Sequence, residues 1–518
     1  MAAKKVAPQD ITEEAKQLEA IPDDFRKLNF NDYADGQGTS TEWENIGLKF
    51  VEYLNAHTPN WILYSLSNAK KRNQGIKSKI YPDRLGEEII SENLIERYKK
   101  LPEGAMYNTN HGTWELFERN GLKSFVQKTT ISKIQQYDAD WDVYINRAVA
   151  DYVYSQALRL DVYDMPFEEA DPNLVAFKNG TYNFATGRLE DSKPENMLIS
   201  YHDYDLDTID KPTPYTDKLL SGMMGKDPVR LFEQYIGYMF YHSYTPIQSA
   251  IFLHGNGGEG KSTLLNYIAH DVIGKNNVAT VNPKDLAGDN RFKAFQLFRK
   301  EANIVADIAK GYLQNTDILK TLTGGDGMDA EAKGMQGINF TNYAKLLFSA
   351  NELPKFSDTS SGFQDRLIVI ELINGDTRQS DNYFWDNQDM KAVKNERDSF
   401  VYKCLKEFKK ALDKRSFDQP QSVVEASKAW HKANDHFGEF LEEECEINIS
   451  IDKGARASDV VSAYKGFCQK NNYSEKTTAQ TITANLERLG VKKSKNYRSW
   501  TNNSQQVWRY MGLKLNNP

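Results

Sequence analysis

Apolar positions along the chain change rhythm several times, and each change suggests a boundary. Residues 1–80 are mostly polar, broken by Pro22, Pro59 and Gly75, with a basic cluster Lys70-Lys71-Arg72, and they predict little. From Leu85 to about 212 the spacing predicts helices over Glu87 to Lys100 and Asp140 to Leu158. Between them lie short alternating segments starting at Ala105 and Gly112, the latter reading as a hairpin, so this stretch is a mixed α+β module. Thr213-Pro214 marks a boundary, and helical spacing then runs through Tyr241 as a collar. Short, mostly apolar runs follow at 249–253, 301–307, 345–351 and 367–370, which read as buried strands by their length and flanks. Helices cover 388–415, another runs from Pro420 to near Glu444, and two more start at Ala457 and Thr478. The expected divisions are therefore 1–84, 85–212, 213–248, 249–415, 416–451 and 452–518, an α/β chain without internal repeats.

The loop after the first buried run is Gly255-Asn256-Gly257-Gly258-Glu259-Gly260-Lys261-Ser262, followed by Thr263 and an apolar helical pattern. Strand, glycine loop and helix in that order make a phosphate-binding P-loop. Glycines allow positive φ, so backbone N–H groups can face a phosphate, and the helix start presents its positive dipole end to the same anion. Lys261 is then expected to bridge β- and γ-phosphates and Ser262 to hold Mg²⁺. An NTPase also needs a carboxylate at the end of a neighbouring buried strand. Asp307, closing the run from Glu301 and about 45 residues beyond Lys261, is the candidate second ligand of Mg²⁺. No second acid stands beside it, since Ala306 and Ile308 flank it, and the general base stays open.

The glycine-rich stretch from Leu319 to Phe340 suits a hairpin with Lys333 near its tip. Asn351 ends a buried strand, where an amide can orient the attacking water, and Arg366 stands just before the next strand, where it can neutralise transition-state charge.

Charge and cysteine content narrow the classes. With 65 Lys+Arg against 72 Asp+Glu the net charge is −7, so contact with nucleic acid must come from local patches. From 481 onward seven basic residues (Arg488, Lys492, Lys493, Lys495, Arg498, Arg509, Lys514) face one acid, Glu487, and are interleaved with Tyr497, Trp500 and Trp508. Such a patch suits a phosphate backbone, and a solvated basic face explains it as well. Cys404, Cys445 and Cys468 are too dispersed for a zinc ribbon or a disulfide scaffold. No apolar run approaches the ~18 residues of a membrane span, and Met1-Ala-Ala-Lys-Lys lacks a signal's apolar region, so a cytoplasmic protein away from membranes is expected.

Four motifs in order, the P-loop, Asp307, Thr323-Gly-Gly-Asp326 with Lys333, and Phe348 to Pro354 leading to Asp365-Arg366, resemble a superfamily 3 helicase of the bacteriophage, plasmid and poxvirus-type primase-helicase family. Asn173 to Arg188 looks like that family's module before the helicase, and 455–513 resembles its winged-helix tail. The resemblance implies an AAA+ core and a ring of six subunits around single-stranded or forked DNA. It also implies ATP and Mg²⁺ between neighbours, Arg366 donated in trans, Lys333 on a channel hairpin, and replisome or loader proteins as partners in a bacterial host's cytoplasm. The tail residues Lys492, Lys493, Lys495 and Arg498 would touch DNA. Two departures stand out: Glu259 replaces the family's usual Asn, and the acid motif holds one carboxylate. No primase motif is recognisable upstream. Three readings are therefore carried: a ring helicase for replication of a phage or mobile element, an ATP-switched initiator or assembly protein, and a primase-helicase with a cryptic primase site.

Overall fold

The computed structural model describes residues 40–66, 76–160, 166–286, 291–308, 311–313, 316–331, 337–375, 388–448, 454–471, 473, 478–495 and 507–516, apart from 119, 138, 140, 357 and 359. Lys333, Arg498, Tyr497 and Trp500 lie outside these described residues. The chain divides into two compact units, residues 1–181 with 190–201, and residues 182–189 with 202–518.

In the first unit, helix Ser40–His57 and the antiparallel pair Ile62–Leu66 and Ile76–Ile80 precede helix Pro82–Asn93. An antiparallel sheet of Ile95–Tyr98, Leu101–Asn108 and Thr113–Leu116 comes next, then helices Gly121–Gln136 and Val143–Gln156. Of the segment from Gly112 expected as a hairpin, Thr113–Leu116 forms one strand, paired antiparallel with Leu101–Asn108, so a hairpin is there only with the earlier segment as its other arm. The helix expected through Lys100 ends short of it: it starts at Pro82, whose fixed φ suits a first turn, and stops at Asn93 because Leu94 adopts φ 43°. Strand pairing then takes Ile95–Tyr98. Phe50, Leu54, Trp61 and Ile62 pack in the same apolar cluster as Leu85, Ile89, Val126, Val149 and Val153. The boundary expected at 84/85 therefore runs through one core. Each such side chain contributes about 1.5–3 kcal/mol by leaving water, so these segments are mutually dependent.

The second unit is built on a five-stranded sheet in the order Val278–Ala279, Ala302–Val305, Lys345–Ala350, Ala250–His254, Leu367–Glu371. Every neighbouring pair is parallel. Burial on both faces explains why these strands are mostly apolar without a polar alternation, the buried Asn303, Lys345 and Ser349 being the exceptions. Collar helix Val229–Met239 is almost wholly buried and lies against Arg397–Lys414 so closely that a Cβ on Gly237 would stand 2.2 Å from the Cys404 carbonyl oxygen. Helix Gln421–Ala433 presses Trp430 onto Phe252 and Phe356. The single helix expected to reach Glu444 is two, because Asp435 caps a new start, His436–Glu444, by accepting from Gly438 N–H. At the C-terminal end, helices Ala457–Lys470 and Ala479–Arg488 pack on an antiparallel sheet of Ala455–Arg456, Arg509–Met511 and Lys492–Ser494 around Tyr464, Phe467, Leu486 and Tyr510. All three cysteines are buried and outside any disulfide.

The parallel sheet has two chemically different ends. At its N-terminal end, Glu301 is fully buried between His202, 3.2 Å away, and His242, 3.1 Å away. The neighbouring Lys345 is equally buried and donates to the Tyr241 and Tyr343 carbonyls at 2.6 and 2.5 Å, its ammonium 4.3 Å from the centre of the Tyr238 ring. Burial alone raises the Glu301 carboxyl, but the two imidazoles outweigh it and bring it to about 2. Burial drives Lys345 well below its ordinary range, opposed by Glu301. The C-terminal end carries the candidate site.

Candidate active site

The P-loop leaves strand Ala250–His254 and enters helix Lys261–Tyr267, which a π-turn, Ile268–Val272, extends. Gly257, Gly258 and Gly260 take φ of 111°, 89° and 78°, conformations that side chains resist, so the glycines at these positions have a backbone reason. Asn256, Ser262 and Thr263 are exposed, whereas Glu259 and Lys261 are buried. Lys261 Nζ donates to the Gly255 carbonyl at 2.9 Å and to Glu259 Oε2 at 2.8 Å, and Gly257 N–H donates to both Glu259 oxygens at 2.9 and 3.0 Å. Burial pushes the Glu259 carboxyl up, but the bond from Lys261 and the loop's N–H groups prevail and hold it below the ordinary carboxylate range. The loop thus already grips an anion, and this tests its fit to phosphate: the donor set that a polyphosphate needs is present and aimed at a carboxylate.

Asp307 and Asn351 leave the C-terminal ends of adjacent strands, and the Asn351 strand lies between the acidic strand and the P-loop strand. Asn351 Nδ2 sits 3.5 Å from Asp307 Oδ1. Asp307 takes φ 57°, a left-handed conformation that a short polar side chain tolerates. Ser349, not singled out from the sequence, fixes that corner: its hydroxyl accepts from Asp307 N–H at 3.0 Å and its carbonyl from Ile308 N–H at 2.8 Å. Ser262 and Asp307 are the exposed oxygens that would hold Mg²⁺ here. Among the described residues no group of three His, Cys, Asp or Glu could hold a metal alone.

Sequence reasoning also missed the other rim. His254, just before the loop, bonds Glu371 at 2.8 Å, and that bond raises the imidazole's pKa. Asn374-Gly375 touches the loop, with Asn374 Nδ2 3.5 Å from the Glu259 carbonyl. These contacts had no motif to announce them, because they join positions more than 100 residues apart.

Arg366 is not brought to this cluster. Its carbonyl accepts from Ala250 N–H, at the start of the P-loop strand, so about five strand residues at ~3.3 Å each, roughly 16 Å, separate it from its own loop. Its guanidinium donates to the Lys320 carbonyl at 2.5 Å and to Gln248 Oε1 at 2.7 Å. Hairpin strands Gly327–Ala330 and Ile338–Thr341 pair antiparallel as expected, and Lys333 falls outside the described residues. In the C-terminal sheet Lys492 and Lys495 are exposed, and Lys495 lies 4.6 Å from the Trp508 ring centre. Lys493 is half-buried against Trp508 and Tyr510 and donates to Thr483 at 3.2 Å.

Residues 83–225 match the family model described as "D5 N terminal like", and residues 253–366 match one described as "Family of unknown function (DUF5906)". The chain is 23% identical over 334 residues to "Putative helicase L207/L206" of Acanthamoeba polyphaga mimivirus, covering 58% of this chain and 33% of that protein. It is 26% identical over 226 residues to "Putative helicase 121R" of Invertebrate iridescent virus 3, covering 39% and 23%. The matches thus span a third or less of these relatives. Among solved structures, the apo C-terminal region of NrS-1 aligns with a TM-score of 0.45 at 13% identity, covering 83% of this chain and all of that one. Among the described residues no helix is long and apolar enough to cross a membrane.

Proposed function

We propose that this chain is an ATP-dependent DNA helicase of the superfamily 3 type, whose AAA+ core works in a ring, as a hexamer, for replication of a viral or mobile genome. One observation carries the reading: a P-loop whose Gly257 N–H and Lys261 ammonium converge on an anion, beside Asp307 and Asn351 on the ends of adjacent parallel strands. The helicase names of the two viral relatives and the D5-like match over 83–225 support it.

In this reading the triphosphate of ATP supplies the bond that is broken and Mg²⁺ the charge that polarises it. Gly255 to Gly258 and Gly260 to Thr263 would bind the phosphates, Ser262 and Asp307 would hold the ion, and the Asn351 amide positions the attacking water. Arg366, at the far end of the sheet from its own loop, serves a neighbouring subunit's nucleotide. Lys333 on the hairpin grips a DNA strand in the channel, and Lys492 and Lys495, with Arg498, add phosphate contacts. The test is ATP turnover and strand separation on a forked duplex by the full chain. Turnover without strand separation by well-formed rings would move the protein to the class of ATP-switched initiators, and absence of nucleotide binding would end the reading.

A further inference from the structure

Glu259 has no obvious duty in a loop built to hold phosphate, yet it is the loop's most deeply placed side chain, with 1% of its surface exposed. Both of its carboxylate oxygens accept from Gly257 N–H, and Oε2 also accepts from Lys261 Nζ at 2.8 Å. Space around the carboxylate is reserved as well. A Cβ on Gly255 would stand 2.7 Å from Oε1, and one on Gly375, beyond the outer strand, would stand 3.1 Å from the same oxygen. Glycine at 375 is not required by a left-handed backbone there, so room for the carboxylate is the reason the structure offers. The side chain therefore occupies the donors through which a P-loop recognises an anion. Two anions cannot share those donors without strong repulsion in a site this shielded from water.

We propose that Glu259 is an internal phosphate mimic that gates the nucleotide site, so that a polyphosphate binds only by displacing its carboxylate from Gly257 and Lys261. This rests on the reading of the loop as a nucleotide site. It assigns to the empty-handed loop a ready-made closed form, and it makes nucleotide affinity a contest between a tethered carboxylate and an incoming phosphate. Glu259 is then a positioning residue that sets affinity and not a catalytic one.

Calorimetric titration of the full chain with inorganic pyrophosphate and with a non-hydrolysable ATP analogue tests this. Glu259→Gln keeps the size and one accepting oxygen but removes the charge and turns the second acceptor into a donor, and should bind both ligands about tenfold more tightly than the parent, the scale of one charge-assisted bond. Gly375→Ala crowds the carboxylate from outside the loop and should tighten binding in the same direction by less. Equal or weaker affinity in Glu259→Gln, with an unchanged melting temperature, would overturn the gate and make the residue a brace of the loop. If Glu259→Gln does not fold, Gly375→Ala decides by the direction of its change. If neither parent nor variants bind either ligand, the nucleotide-site reading itself fails; binding by the parent without gain in the variants removes the gate alone.

Discussion

The two ends of the parallel sheet use charge in opposite ways. At the N-terminal end Glu301, His202 and Lys345 are sealed from water and His242 is mostly buried against them, held by contacts between the collar and the adjoining strands. At the C-terminal end Ser262, Asp307 and Asn351 are exposed, Asp307 in a left-handed conformation. The first arrangement fixes the collar on the core; the second leaves groups free to meet something else. A charge buried with its partners is costly to disturb and chemically silent, whereas an exposed one held at a strained corner adds little to stability and is available for work. Function should therefore concentrate at the loop end and stability at the other.

The widest expected separation is in turnover. Lys261→Ala should lower ATP hydrolysis by about 10²- to 10⁴-fold, the loss of two charge-assisted bonds of ~1.5–3 kcal/mol each, measured at a temperature where the variant, which strands the buried Glu259 carboxylate, is still folded. Steady-state rates near the parent's would show that the loop end is not the site. Arg366→Ala should keep nucleotide binding and lose hydrolysis by about 10³-fold or more. Mixed with Lys261→Ala protein it should recover part of the rate, since one interface then pairs an intact loop with an intact arginine. Co-assembly without recovery would leave Arg366 the structural brace that its bonds to Lys320 and Gln248 already describe.

The opposite end should respond in stability. Glu301→Ala strands two histidines and Lys345 and should cost about 3–5 kcal/mol in denaturant unfolding. A loss below roughly 1 kcal/mol would erase the contrast between the ends. The same cluster should shape acid stability. The Glu301 carboxyl sits at about 2 in the fold against an ordinary 4.5. Its stabilisation is thus full above pH 4.5 and lost as pH falls from about 4.5 toward 2, a contribution of order 3 kcal/mol. Glu301→Gln should flatten that acid branch; an identical pH profile would show that the two histidines do not hold the carboxylate.

This division was only half legible beforehand. The loop, the strands and Asp307 lie in contiguous stretches whose local pattern encodes them, so the loop end could be read from Gly255 to Thr263 and from the run 301–307. The sealed end could not, because His202 and His242 are 99 and 59 positions from Glu301 and only the closed sheet joins them. In the sequence Glu301 is only the first residue of the run that Asp307 closes. Glu259 was visible as an odd residue, but its inward turn depends on Gly375, more than 100 positions away. Arg366 was placed before the right strand, yet only the parallel register shows which end of the sheet it occupies.

The smallest effect carries the same contrast into the C-terminal domain. Removing residues 481–518 would take Ile482, Leu486, Tyr510 and Leu513 out of the domain's core, so the basic patch has to be probed by point changes. Lys492 and Lys495 are exposed, while Lys493 props Thr483 and Tyr510. If the exposed pair meets a phosphate backbone, Lys492→Ala with Lys495→Ala should weaken binding to single-stranded or forked DNA. It should also flatten the dependence of log K on log salt by about 0.7–0.9 per lost contact. Lys493→Ala should instead lower the melting temperature and change the slope by less. A salt slope that stays at the parent's value in the double variant would make the patch a solvated face and leave DNA contact to the hairpin.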